Sequence, residues 1–236
     1  MSERFFSAVP PVAGRAMLGG DEARHLTRVL RAQVGDEVTL FDGRGRAWVA
    51  TILRIARSEV ELSTGEPSES APPSGPVVTL AVALPKGERQ KWLVEKLTEL
   101  GVARLVPLVT ERGIAAATPA AIERLERAVI EACKQCGRDV LMEIAPPRSI
   151  AELVGAAPAG VPRIIATPGG GPFAAAIPPI ASEILALVGP EGGFTRDEVA
   201  TARAAGCEPV SLGRHVLRVE TAAIAVAARL APSGGP

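Results

Sequence analysis

Twice in its last quarter the chain runs an apolar, strand-like segment straight into a glycine-lined turn, and few folds can use that pattern. Ile184 to Val188 leads into Leu187-Val188-Gly189-Pro190-Glu191-Gly192-Gly193-Phe194. Pro209 to Leu212 leads into Ser211-Leu212-Gly213-Arg214-His215-Val216-Leu217-Arg218-Val219-Glu220-Thr221. Between them the sequence spells a helix with a capping box, Thr195 as N-cap with Glu198 three residues on and Gly206 as its stop. Strand, bare loop, helix, strand, bare loop is how an α/β sheet assembles a ligand site beyond the carboxyl ends of its strands. Glycine admits a ligand against the backbone where a Cβ would hold it off. The expectation is a small ligand bound largely by main chain.

The rest of the chain fits one enzyme of modest size. Its 236 residues allow one or two domains with a proper core. Lys+Arg and Asp+Glu both total 26, so no global field draws the protein to nucleic acid, although a local basic patch is still open. Lysine is confined to positions 86, 91, 96 and 134, which reads as codon bias toward arginine rather than as chemistry. No apolar run reaches the roughly 18 residues of a membrane span, and the first residues, MSERFFSAVPP, lack a signal core. Three cysteines fit a reducing, cytoplasmic setting.

Residues 1 to about 64 look β-rich with one helix. Asp21 is the expected cap of a helix from about Glu22 to Arg31. Glu37 to Asp42, a turn at Asp42-Gly43-Arg44-Gly45, and Arg46 to Ile55 read as a hairpin. Glu59 to Ser63 alternates as a half-buried strand should. Glu66 to Pro76 is crowded with breakers and reads as a linker, so the division expected is 1–70, linker 71–76, and 77–236. In the second part strands (Val77–Leu84, Leu105–Val109, Arg163–Thr167, Ile184–Val188, Pro209–Leu212) alternate with helices starting near Glu88, Pro119, Ile150, Arg196 and Val219. That alternation predicts an α/β fold with a mostly parallel sheet. The last helix is apolar almost all round and needs cover on most sides, from the sheet or from a second subunit.

Other site types are weak. Cys133-x-x-Cys136 sits late in a helical run without a second Cys/His pair, which favours two ordinary thiols over a redox or zinc motif. The two histidines, His25 and His215, are far apart with no acidic ligands beside them, so no metal is expected. Gly169-Gly170-Gly171 fits neither GxGxxG nor a P-loop; it is either a close-approach loop or a plain turn. No GxSxG elbow is present. Placement makes the basic residues more telling. Arg24, Arg28 and Arg31 fall at i, i+4 and i+7 with His25 alongside. Lys86, Arg89 and Lys91 gather at a helix start, and Lys134 and Arg138 bracket a helix end. Each reads singly as a solvated face; together they suggest phosphate contacts to RNA. With five Phe and two Trp, a stacking platform for single strands is disfavoured.

An ordered set of strings then carries a resemblance. Lys86-Gly87-Glu88-Arg89, Glu95-Lys96-x-x-Glu99-Leu100-Gly101-Val102, Glu111-Arg112, Ala132-Cys133-Lys134-Gln135-Cys136-Gly137-Arg138, Gly189-Pro190-Glu191-Gly192-Gly193 and Leu212-Gly213-x-x-Val216-Leu217-Arg218-x-Glu220-Thr221-Ala222 resemble the RsmE family. These are bacterial 16S rRNA (uracil-N3)-methyltransferases of the SPOUT superfamily. Arg4-Phe5-Phe6, His25-x-x-x-Val29-Leu30-Arg31 and Phe41-Asp42-Gly43 resemble that family's PUA-like RNA-binding domain. Val94-Glu95-Lys96 and Thr110-Glu111-Arg112-Gly113 depart from the strings common there.

The resemblance implies a small N-terminal PUA-like β-barrel and a C-terminal SPOUT domain with a deep trefoil knot, a rare exception to unknotted topology. It implies S-adenosylmethionine bound by Thr167, Leu187, Val188, Gly189, Glu191, Gly192, Gly193, Ser211, Leu212, Gly213, Val216, Leu217 and Arg218. It also implies a homodimer, which would cover the last helix, and a 16S rRNA or small-subunit partner, with no metal and no membrane. Uracil N3 must lose its proton, and the charge left on O2 and O4 must be stabilised while the methyl is held in line. Arg218 is the expected donor to that charge, and Glu191 or Glu220 the expected base; either carboxylate could instead hold loop backbone or a helix N-terminus. RNA contacts are expected from Arg24, His25, Arg28, Arg31, Lys86, Arg89, Lys134 and Arg138. A ribose 2′-O-methyltransferase of the same superfamily, or a non-catalytic ribosome-assembly factor, are the alternatives.

Overall fold

The structure, a computed structural model, describes residues 3–71, 75–115, 117–177 and 181–231. Part of the expected linker, 72–74, lies outside these. Contacts divide the chain into two compact units, Met1–Pro72 with Ile130–Leu141, and Pro73–Val129 with Met142–Pro236.

The first unit contains β1 (Arg4–Phe6), β2 (Arg15–Gly19), α1 (Gly20–Arg24), β3 (Glu37–Phe41), β4 (Arg46–Ile55), β5 (Glu59–Thr64) and β6 (Ser68–Glu69). Its strands run in the order β1-β3-β4-β5-β2, with β6 pairing on β4. Only β1 and β3 are parallel; the other pairs are antiparallel. Ser68 and Glu69, inside the segment read as linker, therefore belong to the sheet. Period-two alternation buries Val38, Leu40, Ala50, Ile52, Val60 and Leu62 in one cluster with Phe5 and Leu26.

The β3–β4 turn is as the sequence suggests. Gly43 has φ +72°, and a Cβ there would lie 2.7 Å from the Leu141 side chain, so both conformation and space require glycine. Asp42, buried beneath the turn, accepts from the Arg44 and Arg46 backbone N–H groups (2.8 and 3.1 Å) and from Arg46 Nε (2.8 Å). Burial alone would raise its pKa, but these donors outweigh it and hold the carboxyl below its ordinary range.

The first helix differs from expectation. It starts at Gly20 with no side-chain cap, leaving Asp21 in the first turn. From His25 to Val29 it widens into a π-helical segment, with Leu30 N–H donating to His25 O (3.1 Å). Thr27 Oγ1 donates back to Ala23 O (2.7 Å), a bond that competes with the regular ladder. Arg31 lies beyond the helix at φ +54°. The stripe drawn from 3.6-residue periodicity is thus broken. Arg24 and Arg28 are exposed helical residues and Arg31 an exposed loop residue, while His25 stands edge-on to Phe5.

The second unit contains β7 (Val77–Val82), α2 (Arg89–Glu99), β8 (Arg104–Val109), the start of α3 (Pro119–Cys136), β9 (Glu143–Ile144), β10 (Arg148–Ser149), α4 (Ile150–Ala156), β11 (Arg163–Pro172), β12 (Glu183–Val188), α5 (Arg196–Ala204), β13 (Cys207–Ser211) and α6 (Val219–Leu230). The order is β10-β8-β7-β12-β11-β13, with β9 on β8, and every pairing is parallel. This is the sheet the strand–helix alternation predicts. α4 and α5 both start with complete capping boxes, Ser149/Glu152 and Thr195/Glu198. Arg163, on β11, clasps the helix ends. Its guanidinium donates to Ala205 O (2.7 Å), Ala157 O (2.9 Å), Pro158 O (2.9 Å) and Val154 O (3.3 Å), placing a cation where helix dipoles end.

α6 buries Val219, Ala222, Ala223, Val226, Ala227 and Leu230, and its neighbours are α2, β7 and β12. Much of the cover that its composition demands is therefore internal. Thr221 and Ala228 stay exposed.

Candidate active site

The strand order creates the site. From β11 the chain passes to β12 on one side, then through α5 to β13 on the other, so β11 is flanked by strands reached in opposite directions. Such a reversal opens a crevice at the strands' carboxyl ends. A cavity of about 900 Å³ lies there, lined by the segments after β12 and β13 and by the far part of β11. That volume suits a ligand of nucleoside size or larger.

β11 contributes by an interruption. Val210 is opposite both Ala166 and Gly171, so residues 167–170 leave the ladder and return. The triple glycine is thus neither a loop outside the sheet nor a plain turn; it lies within a bulged strand. Thr167, Pro168 and Gly169 line the cavity. Gly170 packs on β13 so closely that a Cβ would lie 2.6 Å from Val210 backbone atoms.

The segment after β12 is braced. Gly193 N–H donates to Pro190 O (2.8 Å), with Gly193 at φ +69°. Arg112 Nη1 donates to Gly192 O (2.8 Å). Gly189 lies beneath Phe194, whose ring would be 3.0 Å from a Cβ. Glu198 couples this loop to the segment after β8, accepting from Thr195 N–H and from Glu111 N–H, each at 2.8 Å. The segment after β13 is barer. Ser211 Oγ donates to Gly213 O (3.1 Å) and accepts from Gly213 N–H (3.3 Å). Gly213 has φ +144°, and Val216 is 85% exposed.

Of the residues expected to hold a cofactor, Thr167, Val188, Gly189, Glu191, Gly192, Gly193, Ser211, Leu212, Gly213, Val216 and Leu217 line the cavity. Leu187 does not: it is fully buried in the core with Ile165 and Val106, as alternation along β12 requires. Arg218 also lies outside the lining, as the exposed N-cap residue of α6. Sequence reasoning missed Phe194, Thr195, Val199, His215, Val219 and Ala222, which also line it. Their only signal is adjacency to the strand ends.

The two carboxylates expected as base meet on one guanidinium. Arg89, expected on RNA, places Nη2 at 3.3 Å from Glu191 Oε1 and Nη1 at 3.6 Å from Glu220 Oε1. Glu191 is on the cavity lining. Glu220 is buried at the second position of α6, and its Oε2 has no hydrogen-bond partner. Lys86 is exposed just before α2.

The other basic residues belong to the first unit. Lys134 is largely buried, paired with Glu22 (3.1 Å) and Glu131 (3.1 Å) and sitting over the Phe5 ring. Burial raises the Glu22 carboxyl, an effect Lys134 only partly offsets. Arg138 is half-buried, and desolvation lowers its guanidinium pKa. Arg4 pairs with Asp139. Cys133 is buried, and that burial, partly countered by Arg138, pushes its thiol up to about 11; Cys136 is exposed. Among the described residues no group of His, Cys, Asp and Glu is placed to hold a metal ion, and no helix is long and apolar enough to cross a membrane.

Comparison with known proteins decides the family. Residues 73–231 match an RNA methyltransferase domain, and residues 18–64 an RNA methyltransferase PUA domain. The ribosomal RNA small subunit methyltransferase E of a Synechocystis strain is 34% identical over 208 residues, spanning 85% of this chain and 67% of that protein. The chain belongs to the RsmE family. The Rickettsia conorii member is 30% identical over 228 residues, covering 90% and 88% of the two chains. The crystal structure of the Neisseria gonorrhoeae RsmE bound to S-adenosylmethionine superposes with a TM-score of 0.89 at 30% identity, covering 97% and 96%. A Legionella pneumophila protein solved with bound SAM gives 0.90, also at 30%, covering 98% and 97%.

Proposed function

We propose that this RsmE-family chain methylates N3 of a uridine in the 16S rRNA of the small ribosomal subunit, using S-adenosylmethionine. The observation that carries the reading is the glycine-lined cavity where β11, β12 and β13 end, in a chain whose relatives include RsmE solved with that cofactor. The lining suits an amphipathic nucleoside. Val188, Phe194, Val199 and Leu212 offer apolar surface, and Thr167 and Ser211 offer hydroxyls beside main chain. Bound there, the cofactor's sulfonium supplies an electrophilic methyl group.

The chain's own residues supply the rest. Glu191, on the lining, is placed to take the N3 proton, with Glu220 one guanidinium further in. Arg218, exposed at the start of α6, is free to donate to the charge developing on O2 or O4. The target base must leave any stack to enter. Arg24 and Arg28 offer exposed cations to phosphates. The exposed Val216 and the outward residues of α6 support a homodimer in which the knot regions of a trefoil-knotted domain pack together. Such an enzyme works in the cytoplasm, where ribosomes mature.

The test is methyl transfer from labelled cofactor to small subunits lacking the modification, followed by mass spectrometry of digested nucleosides. N3-methyluridine is the expected product. A 2′-O-methylated nucleoside would reassign the target atom, and no transfer beside an active control enzyme would leave an RNA-binding protein. Arg218→Ala should bind cofactor normally yet transfer slowly; wild-type turnover would remove Arg218 from the mechanism.

A further inference from the structure

Arg89 stands where a helix does not want a cation. It is the first residue of α2, at the positive end of the macrodipole, where carboxylates stabilise and guanidinium groups do not. Gly87, at φ +68°, makes the turn that brings it there. Its position is compensated by two carboxylates from separate elements, Glu191 in the segment after β12 and Glu220 in α6, at 3.3 and 3.6 Å. Glu220 is the unusual member. Its side chain is only 7% exposed, and one carboxylate oxygen has no partner although it is buried. A buried acceptor left open costs free energy, so it marks either strain or a donor that arrives later.

We propose that Arg89 is a positioning residue of the methyl-transfer site. It bridges the cavity-lining Glu191 to the buried Glu220, holding Glu191 where it receives a donor N–H from the incoming base, rather than gripping an RNA phosphate. The proposal rests on the methyltransferase reading above. Without the guanidinium, two carboxylates would face each other with one of them buried, an arrangement that repulsion and desolvation both oppose. With it, Glu191 stays at the cavity and the open oxygen of Glu220 stays fixed. Lysine cannot replace it fully, because a point charge engages one carboxylate where the planar fork engages both.

Two measurements test the clamp independently. The first needs no activity: urea midpoints of Arg89→Gln, Glu220→Gln and the double variant. Arg89→Gln should lower the midpoint, and adding Glu220→Gln should restore part of the loss, because the uncompensated charge is then gone. Additive losses would overturn the clamp. The second is steady-state methyl transfer. Arg89→Gln should lower kcat by about 10²-fold with KM for RNA and its salt dependence unchanged, and Arg89→Lys, which keeps the charge, should recover only part. A rise in KM with a shallower salt slope and unchanged kcat would make Arg89 a phosphate contact and overturn the proposal. Should the wild-type chain transfer no methyl group, the functional reading fails, while the midpoints still decide whether the clamp exists.

Discussion

The two glycine loops that flank β11 look alike in sequence and are held in opposite ways. The loop after β12 is fixed from several directions: Arg112 on Gly192 O, Gly193 N–H on Pro190 O, Phe194 over Gly189, and Arg89 on Glu191. The loop after β13 has the Ser211–Gly213 bonds, then a run of exposed residues ending in Val216. Glycine serves space at Gly189 and backbone angle at Gly193 in the first, and backbone angle alone at Gly213 in the second. Gly189 has a ring against it, whereas Gly213 has nothing within 4 Å but a φ of +144°. If bracing decides mobility, the first loop should keep its place when a ligand binds and the second should move onto it.

The largest effect should come from Gly170, which seats the β11 wall on β13 beneath the bare loop. Gly170→Ala drives a methyl into Val210 backbone and should cost about 3 kcal/mol or more in urea unfolding; a loss near zero would mean that the wall gives way easily. Next, Gly189→Val should cost about 1–3 kcal/mol through crowding of Phe194, while Gly213→Ala should cost about 1 kcal/mol through φ alone. Equal costs would erase the distinction between the loops.

Arg112→Ala removes the brace from Gly192 and should weaken cofactor binding roughly tenfold by calorimetry, about 1.4 kcal/mol. Ser211→Ala should change it less if the bare loop is organised by the ligand. A third glycine turn offers a milder contrast, because Asp42 braces it with a charge. Its carboxyl lies below its ordinary value when folded, so the stability it adds is complete above about 4 and lost as pH falls through the folded value. Asp42→Asn should flatten that acid-side loss in pH-dependent unfolding. An unchanged profile would show that the carboxylate does not hold the turn.

What the sequence disclosed follows the same division. Backbone requirements were legible: Gly43, Gly189, Gly193 and Gly213 each sit where space or a positive φ calls for glycine, and Thr195/Glu198 is the cap its spacing spells. Strand alternation was legible too, and applied strictly it would have separated Leu187, in the core, from Val188, on the cavity. Long-range pairing was not. Lys134 and Arg89 read as solvated or RNA-facing cations because Glu22, Glu191 and Glu220 are distant in the chain, and only the fold brings them together. The π-helical segment after Arg24 was invisible as well, because periodicity assumes the regular turn that Thr27 helps to break. The bulge in β11 hid behind three glycines that fit a loop equally well.

The most direct test is a crystal structure of this chain with S-adenosylmethionine. The account predicts the cofactor among the β11, β12 and β13 ends, with residues 189–193 where they are now and residues 212–217 closed over it. Cofactor bound elsewhere, or a displaced 189–193 loop beside an unmoved 212–217 loop, would contradict it.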